Sequence, residues 1–158
     1  MSSLDRDPPS FANINLLGKC NADCYFCLGK DLKLLLSKHN QLAVHWSKWK
    51  NFDKFLGMCR GAGISKLYIT GQTADGLQYK YRQSLVDYLQ SDGFLVGLRT
   101  NGYLARTKIA VIQSMKGEIG YSAHTLCWLT NYTIMGRCDI PDWKWIIPRS
   151  GPNARVSI

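Results

Sequence analysis

The stretch "SKWKNFDKFLGMCRGAGISKLYIT", residues 47–70, joins an amphipathic helix to a buried strand and thereby decides the fold class. Ser47 is a possible N-cap of this helix, and Gly61 and Gly63 end it. Residues 65–70 follow as a short apolar strand. The apolar residues of the helix share one stripe, and the cysteine among them is expected in the core: Trp49, Phe52, Phe55, Leu56 and Cys59.

The same alternation of strand and helix continues along the chain. Further strands are predicted at residues 11–18, 94–100, 118–123 and 154–158, and further helices at residues 79–93 and 104–117. Strands separated by helices of about 10–15 residues indicate βαβ units. The sequence therefore predicts an α/β fold with a parallel sheet.

Three segments carry weaker signals. Residues 1–10 are expected to be a flexible N-terminus, and the Trp-rich residues 127–153 are expected to be irregular. Residues 32–42 could line a helix, but they show no clear start or stop signal. The whole chain, residues 1–158, is expected to form a single domain, since domains most often contain about 100–150 residues.

The composition favours a folded protein with anionic partners. Hydrophobic residues make up 46% of the chain, and its net charge of +9 comes from 20 Lys and Arg against 11 Asp and Glu. The basic residues are scattered, without the signatures of the common RNA-binding modules. A nucleotide or RNA substrate is one possibility that the charge leaves open. With neither a signal peptide nor an apolar run of about 20 residues, we expect a cytoplasmic protein without a membrane partner.

Three of the six cysteines lie in one short loop, "KCNADCYFCLGK", residues 19–30, with the spacing C-x₃-C-x₂-C. In a reducing compartment such clusters more often bind metal than form disulfides. Thiolates select zinc, copper(I) or iron–sulfur clusters. A structural zinc site needs four protein ligands, and His39 could complete one only at an unusual spacing from Cys27. Three ligands around a cubane leave one iron open to a cofactor or substrate.

The loop is predicted to lie at the ligand-binding edge of the sheet. In open parallel sheets, ligands bind at the carboxyl ends of the strands. The cysteine loop follows the first strand within a few residues. Gly71, Asn101 and Ser122 lie at the ends of later strands, so the same edge should bring all of these residues together.

This loop resembles the cluster-binding signature of the radical S-adenosylmethionine enzymes, C-x₃-C-x-Φ-C with Φ aromatic. Cys20, Cys24 and Cys27 match its cysteines, and Phe26 occupies the aromatic position. Three later stretches resemble the ends of the family's second, third and fourth strands: "ITGQ" at 69–72, "LRTNGYL" at 98–104 and "GYSAH" at 120–124.

The resemblance implies a partial (β/α) barrel, here apparently incomplete with four to five βα units. It implies that the three cysteines hold a [4Fe–4S] cluster whose fourth iron is chelated by S-adenosylmethionine. Reductive cleavage of that cofactor, with an external electron donor, would give a 5′-deoxyadenosyl radical that abstracts hydrogen from an unknown substrate. The residues expected to contact the cofactor are Phe26, Gly71, Gln72, Thr73, Asn101 and Ser122.

Two features depart from the family pattern. The family turn usually reads G-G-E-P, whereas residues 71–74 read Gly-Gln-Thr-Ala, so the acidic residue is missing unless Asp75 substitutes for it. The family core usually has six βα units, so the predicted sheet keeps an open edge where a partner or a second copy could associate.

An alternative from another class is a non-catalytic module that binds an iron–sulfur cluster or zinc for stability, with a basic face for nucleic acid. Several further residues have two interpretations. His124 could move a proton or be structural, and Cys127 with Cys138 could hold an auxiliary cluster. The tryptophans at 128, 143 and 145 could pack the flank of the barrel, form a lid or stack on bases.

Overall fold

The computed structural model of the chain describes residues 11–29 and 39–157. It contains one five-stranded sheet in which consecutive strands are neighbours and every pair is parallel. The strands are β1 (Ala12–Leu16), β2 (Lys66–Gly71), β3 (Leu95–Thr100), β4 (Ile119–Ser122) and β5 (Ala154–Ser157). The predicted α/β class with a parallel sheet is confirmed.

At least one helix lies between each pair of successive strands. The helices are α1 (Phe52–Gly61), α2 (Arg82–Ser91), α3 (Ile109–Ser114), α4 (Trp128–Met135) and α5 (Trp143–Arg149). Short 3₁₀ turns occupy Trp46–Lys48, Gly76–Gln78 and Arg106–Lys108. Because each parallel connection must return across the sheet, the carboxyl ends of all strands meet at one edge.

The first helix starts later than the sequence predicted. Residues 46–48 form a 3₁₀ turn capped by His45, so Ser47 is not the N-cap of α1, which begins at Phe52. Asn51 has a φ of 62°, in the left-handed region, and this conformation separates the turn from the helix. Trp49 therefore precedes the helix and does not belong to its stripe.

The expectation of an irregular segment at 127–153 is wrong, because α4 and α5 lie within it. Of the eight residues of α4, only Asn131 and Met135 are buried, so the segment has no apolar stripe from which a helix could be predicted. The flexible N-terminus proposed for 1–10 and most of the uncertain segment 32–42 lie outside the described residues.

One face of the sheet is covered by helices. Side chains of successive strand residues alternate between faces, and those on the covered face are buried: Ile14, Leu16, Leu67, Ile69, Val96, Leu98, Ile119 and Tyr121. The helices α1, α2, α3 and α5 contribute to the same hydrophobic cluster through Phe52, Leu56, Leu85, Leu89, Ile112 and Ile146. Cys59 is buried there too, as predicted.

The opposite face of the sheet, which we call the open face, is polar. Its residues are Asn13, Asn15, Lys66, Tyr68, Thr70, Leu95, Gly97, Arg99, Glu118, Gly120, Ser122, Arg155 and Ser157. Most of these side chains are exposed or half-buried, although Tyr68 is buried. A sheet with one covered and one polar face presents the polar face to ligand, as the inside of a partial barrel does.

None of the helices in the described part of the chain is long and apolar enough to span a bilayer.

Substitutions on the two faces of β3 test which face of the sheet is packed in the core. Leu98 is fully buried, whereas Leu95 on the open face is 42% exposed. We expect Leu98→Ala to lower the free energy of unfolding by about 2–5 kcal/mol, because it leaves a cavity in the core. Leu95→Ala is the matched control and should cost about 0.5 kcal/mol or less. Urea denaturation followed by circular dichroism measures both, and equal losses would contradict the assignment of faces.

Candidate metal and cofactor site

A cavity of about 370 Å³ lies at the carboxyl ends of the strands. The sulfur-bearing residues Cys20, Cys24 and Cys27 all line it. Five of the six predicted cofactor residues line the same cavity: Phe26, Gly71, Gln72, Asn101 and Ser122. The structure therefore brings together residues that are spread over 100 positions of the sequence.

Thr73, the sixth predicted cofactor residue, does not line this cavity. Its side chain is buried, and its hydroxyl accepts a hydrogen bond from the backbone N–H of Gly18 at 3.2 Å. Thr73 thus fastens the turn after β2 to the end of β1. Gly71 makes the same turn possible, because a Cβ at this position would collide with the backbone carbonyl oxygen of Ala74.

Asp75 is the candidate substitute for the missing acid, and its carboxylate is already occupied. Oδ2 accepts hydrogen bonds from the hydroxyl of Thr100 and the N–H of Asn101, each at 2.8 Å, and Oδ1 accepts from the N–H of Leu77 at 2.9 Å. Only 4% of Asp75 is exposed. Burial raises the pKa of this carboxyl, and the three donors offset part of the rise. Asp75 therefore connects the ends of β2 and β3.

Asn101 connects the end of β3 to the cysteine loop. Its side-chain Nδ2 donates to Oδ1 of Asn21 at 2.8 Å and contacts Sγ of Cys20 at 3.7 Å. Burial raises the pKa of the Cys20 thiol to about 11, and the charge of Asp75 adds to the rise. Without a metal, Cys20 is therefore a protonated thiol at neutral pH.

The other side of the cysteine loop is held by the end of α4, a contact that the sequence did not indicate. The N–H groups of Asp23 and Tyr25 donate to the carbonyls of Met135 and Ile134, at 2.8 and 3.1 Å. Arg137 donates from Nη1 to the carbonyl of Asn21 at 2.6 Å. The loop is thus bonded on both sides by main-chain and charged contacts.

Arg137 is itself fixed by its neighbours. Its guanidinium lies 4.2 Å from the ring centroid of Tyr103 and forms a two-point pair with Asp139, each contact at 2.7 Å. Asn131, buried in α4, donates from Nδ2 to the hydroxyl of Tyr103 and to the carbonyls of Arg137 and Asp139. No local sequence pattern marks this network, because its members come from three separate segments.

The three cysteines share a cavity, but their side chains do not converge. Among the described residues there is no group of three or more His, Cys, Asp or Glu side chains arranged to hold a metal ion. Sγ of Cys24 contacts Sδ of Met135 at 3.5 Å.

The donor set nevertheless suits a cluster with one open iron. Three thiols line the cavity, whereas His39, the fourth zinc ligand that the sequence allowed, is exposed and does not line it. The buried amide Nδ2 of Asn21 has no hydrogen-bond partner among the described residues, so a donor is available beside Cys20. Amide N–H groups that donate to sulfur are among the features that tune iron–sulfur clusters. The residues present therefore fit a [4Fe–4S] cluster, once the thiols turn towards it.

Of the other candidate residues from the sequence, some line the cavity and others lie elsewhere. His124 lines it and packs edge-on against Phe26, with ring centroids 4.8 Å apart. Cys127 and Cys138 are exposed and do not line it. Among the tryptophans, Trp143 packs in the core against Tyr121, Trp145 is half-buried between two arginines, and Trp128 is 61% exposed.

Comparison with known proteins gives a match in structure only. No protein-family model and no curated protein sequence matches the chain. A crystal structure of SuiB from Streptococcus suis matches with a TM-score of 0.66 and 19% identity, covering 94% of this chain and 32% of SuiB. SuiB bound to S-adenosylmethionine matches with a TM-score of 0.63 and 17% identity. SuiB bound to its precursor peptide SuiA matches with a TM-score of 0.63 and 18% identity.

These matches establish the fold. The chain shares the fold of part of SuiB, and it spans 32% of the length of SuiB.

The buried carboxyl of Asp75 gives a pH prediction. Its pKa in the folded protein lies above the usual 3.8, so the folded state binds this proton more tightly than the unfolded state. The contribution of Asp75 to the free energy of unfolding should therefore be greatest below its usual pKa of 3.8. This contribution should fall as the pH rises towards the pKa of the folded state. Urea unfolding from about pH 4 to about pH 7 should show this fall for wild type relative to Asp75→Asn.

Asp53→Asn, at an exposed position, is the control. The difference in free energy of unfolding between wild type and this variant should stay constant over the same pH range. A flat difference between wild type and Asp75→Asn across the same range would mean that burial does not raise this pKa.

The contact of Arg137 with the cysteine loop can be tested by hydrogen exchange. Arg137→Ala removes a charged hydrogen bond to Asn21, worth about 1.5–3 kcal/mol. The amides of Asp23 and Tyr25 should then exchange roughly 10–150 times faster, because local opening costs less. Arg106→Ala, at an exposed position away from the loop, should leave both rates unchanged. Unchanged rates in Arg137→Ala would mean that α4 alone holds the loop.

Proposed function

We propose that this chain is the catalytic core of a radical S-adenosylmethionine enzyme. Cys20, Cys24 and Cys27 hold three irons of a [4Fe–4S] cluster, and the cavity beside them binds S-adenosylmethionine at the fourth. The observation that carries the proposal is that all three thiols line one cavity at the carboxyl ends of a parallel sheet. The fold shared with SuiB, solved with S-adenosylmethionine, supports it.

When bound, the cluster supplies the electron that cleaves a carbon–sulfur bond of the cofactor and so starts hydrogen abstraction from a substrate. The residues of the chain bind and orient. Gly71 lets the turn after β2 close tightly, and Gln72 offers a neutral amide to the cofactor's ammonium group. A neutral acceptor holds an ammonium about half as strongly as a carboxylate, so we expect weaker cofactor binding than with the usual acid.

Further residues complete the proposed cofactor site. Ser122 at the end of β4 offers a hydroxyl from the opposite wall, and Phe26 with His124 limits access of water at the loop. Asn101 acts through the loop, because it contacts Asn21 and Cys20. The reaction also requires an external electron donor, and cysteines that are not joined in disulfides suit a reducing, cytoplasmic setting.

The proposal is tested by anaerobic reconstitution with iron and sulfide, followed by electron paramagnetic resonance of the reduced protein. We expect a [4Fe–4S]⁺ signal that shifts when S-adenosylmethionine is added, because the cofactor ligates the open iron. Cys24→Ala should lose most of the bound iron, whereas Cys138→Ala, at an exposed cysteine away from the cavity, should retain it.

Two outcomes would contradict the proposal. A cluster whose signal ignores the cofactor would favour the alternative, a non-catalytic iron–sulfur module. Zinc bound in place of iron would favour a structural metal site, for which His39→Ala tests the fourth ligand. The missing acid after Gly71 is the observation that gives this alternative its weight.

A further inference from the structure

The open face of the sheet carries two arginines on either side of a glycine. Gly120 of β4 is the register partner of Arg99 in β3 and of Arg155 in β5. The two arginines are therefore two strand spacings apart, about 9–10 Å between Cα atoms, with side chains on the same face. The missing side chain of Gly120 leaves room between them.

Arg99 lies flat in this space. A Cβ on Gly120 would collide with its Nη1, and its guanidinium lies 4.3 Å from the ring centroid of Tyr68. Tyr68 in turn lies over Gly97, where a Cβ would come within 2.7 Å of the tyrosine ring. Two glycines thus allow the arginine to extend across the sheet.

Glu118 occupies only one donor of Arg99. Its Oε1 accepts from Nη1 at 2.6 Å. Within the described part of the chain, the Nε and Nη2 groups of Arg99 make no hydrogen bond, and 43% of the side chain is exposed. An exposed ion pair contributes little to stability, so stability does not account for an arginine held in this place.

Arg99 lies between two cavities. It lines the large cavity that contains the cysteines, whereas Glu118 and Tyr68 line a second cavity of about 190 Å³ at the amino ends of the strands. Lys66, Lys116 and Arg155 also line the second cavity. Among the described residues that line it, Glu118 is the one acid, so cations outnumber acids along the open face.

We propose that the open face binds an oxyanion, phosphate or carboxylate, through the free donors of Arg99, and that this oxyanion belongs to the substrate. The assignment to a substrate rests on the proposed function, but the anion site itself does not. Arg99 matches the planar geometry of both groups and can bind either in a two-point contact. Arg155 and Lys66 add long-range attraction that draws an anionic ligand to this face.

Anion binding can be measured on the full chain without iron. Isothermal titration with pyrophosphate and, separately, with succinate compares the phosphate and the carboxylate source. We expect saturable binding of at least one probe, weakened about 10- to 100-fold by Arg99→Gln, because a charged hydrogen-bond pair is lost. Arg99→Lys should retain part of the affinity, since the charge stays but the two-point contact does not.

Two further variants separate binding from folding. Arg60→Gln removes an exposed arginine that pairs with Asp92 and lines neither cavity, so it should leave probe affinity unchanged. Glu118→Gln removes the carboxylate that competes for Arg99, so it should tighten probe binding several-fold. A purely structural pair would give no such gain, and unchanged or weaker binding in Glu118→Gln would contradict the proposal.

Other outcomes would also contradict the proposed oxyanion site or its assignment to a substrate. Absence of saturable binding to wild type, or equal affinity in Arg99→Gln, would show that no oxyanion site exists. Displacement of the probe by S-adenosylmethionine would show that Arg99 serves the cofactor's carboxylate, not a substrate. Since the assay contains no iron, a failed cluster reconstitution with intact probe binding would reject the enzyme and keep the anion site. The reverse result, a reconstituted cluster without probe binding, would reject the oxyanion site and leave the proposed enzyme intact.

Discussion

The geometry of the candidate site depends on one buried carboxylate. Asp75 accepts hydrogen bonds from Thr100 and Asn101 and so fixes the end of β3 against the turn after β2. Asn101, held in this way, reaches Asn21 in the cysteine loop. A single acid, which lines the cavity but is only 4% exposed, therefore helps to position the loop that carries the first cysteine. Asn101, predicted to contact the cofactor, lines the cavity and also connects the strand ends to the cysteine loop.

The loop is defined by contacts at both of its sides, which come from distant parts of the chain. Strand ends supply one side, and the end of α4 with Arg137 supplies the other. Among the described residues, α4 contributes nothing to the main hydrophobic cluster; its buried Met135 lies against Cys24 instead. The helix is thus better understood as a support for the loop than as a part of the core.

The sequence predicts the sheet and the location of the cysteine loop well, because strand periodicity and glycine stops are local signals. It does not predict α4, whose apolar residues surround the helix, nor the start of α1, where Asn51 adopts a left-handed conformation. The contact of Arg137 with Asn21 spans 116 positions and has no local signature. Thr73 was expected at the cofactor but turns inward to Gly18, since turn geometry decides the direction of a side chain.

The raised pKa of Cys20, about 11, affects the reactivity of this thiol in the metal-free protein. Oxidants and electrophiles attack the thiolate, and a thiol that keeps its proton reacts slowly. We therefore expect the Cys20 thiol of the metal-free protein to react slowly with oxidants. In the proposed cluster this sulfur is a thiolate ligand, so cluster binding would release the proton and would grow more favourable as the pH rises.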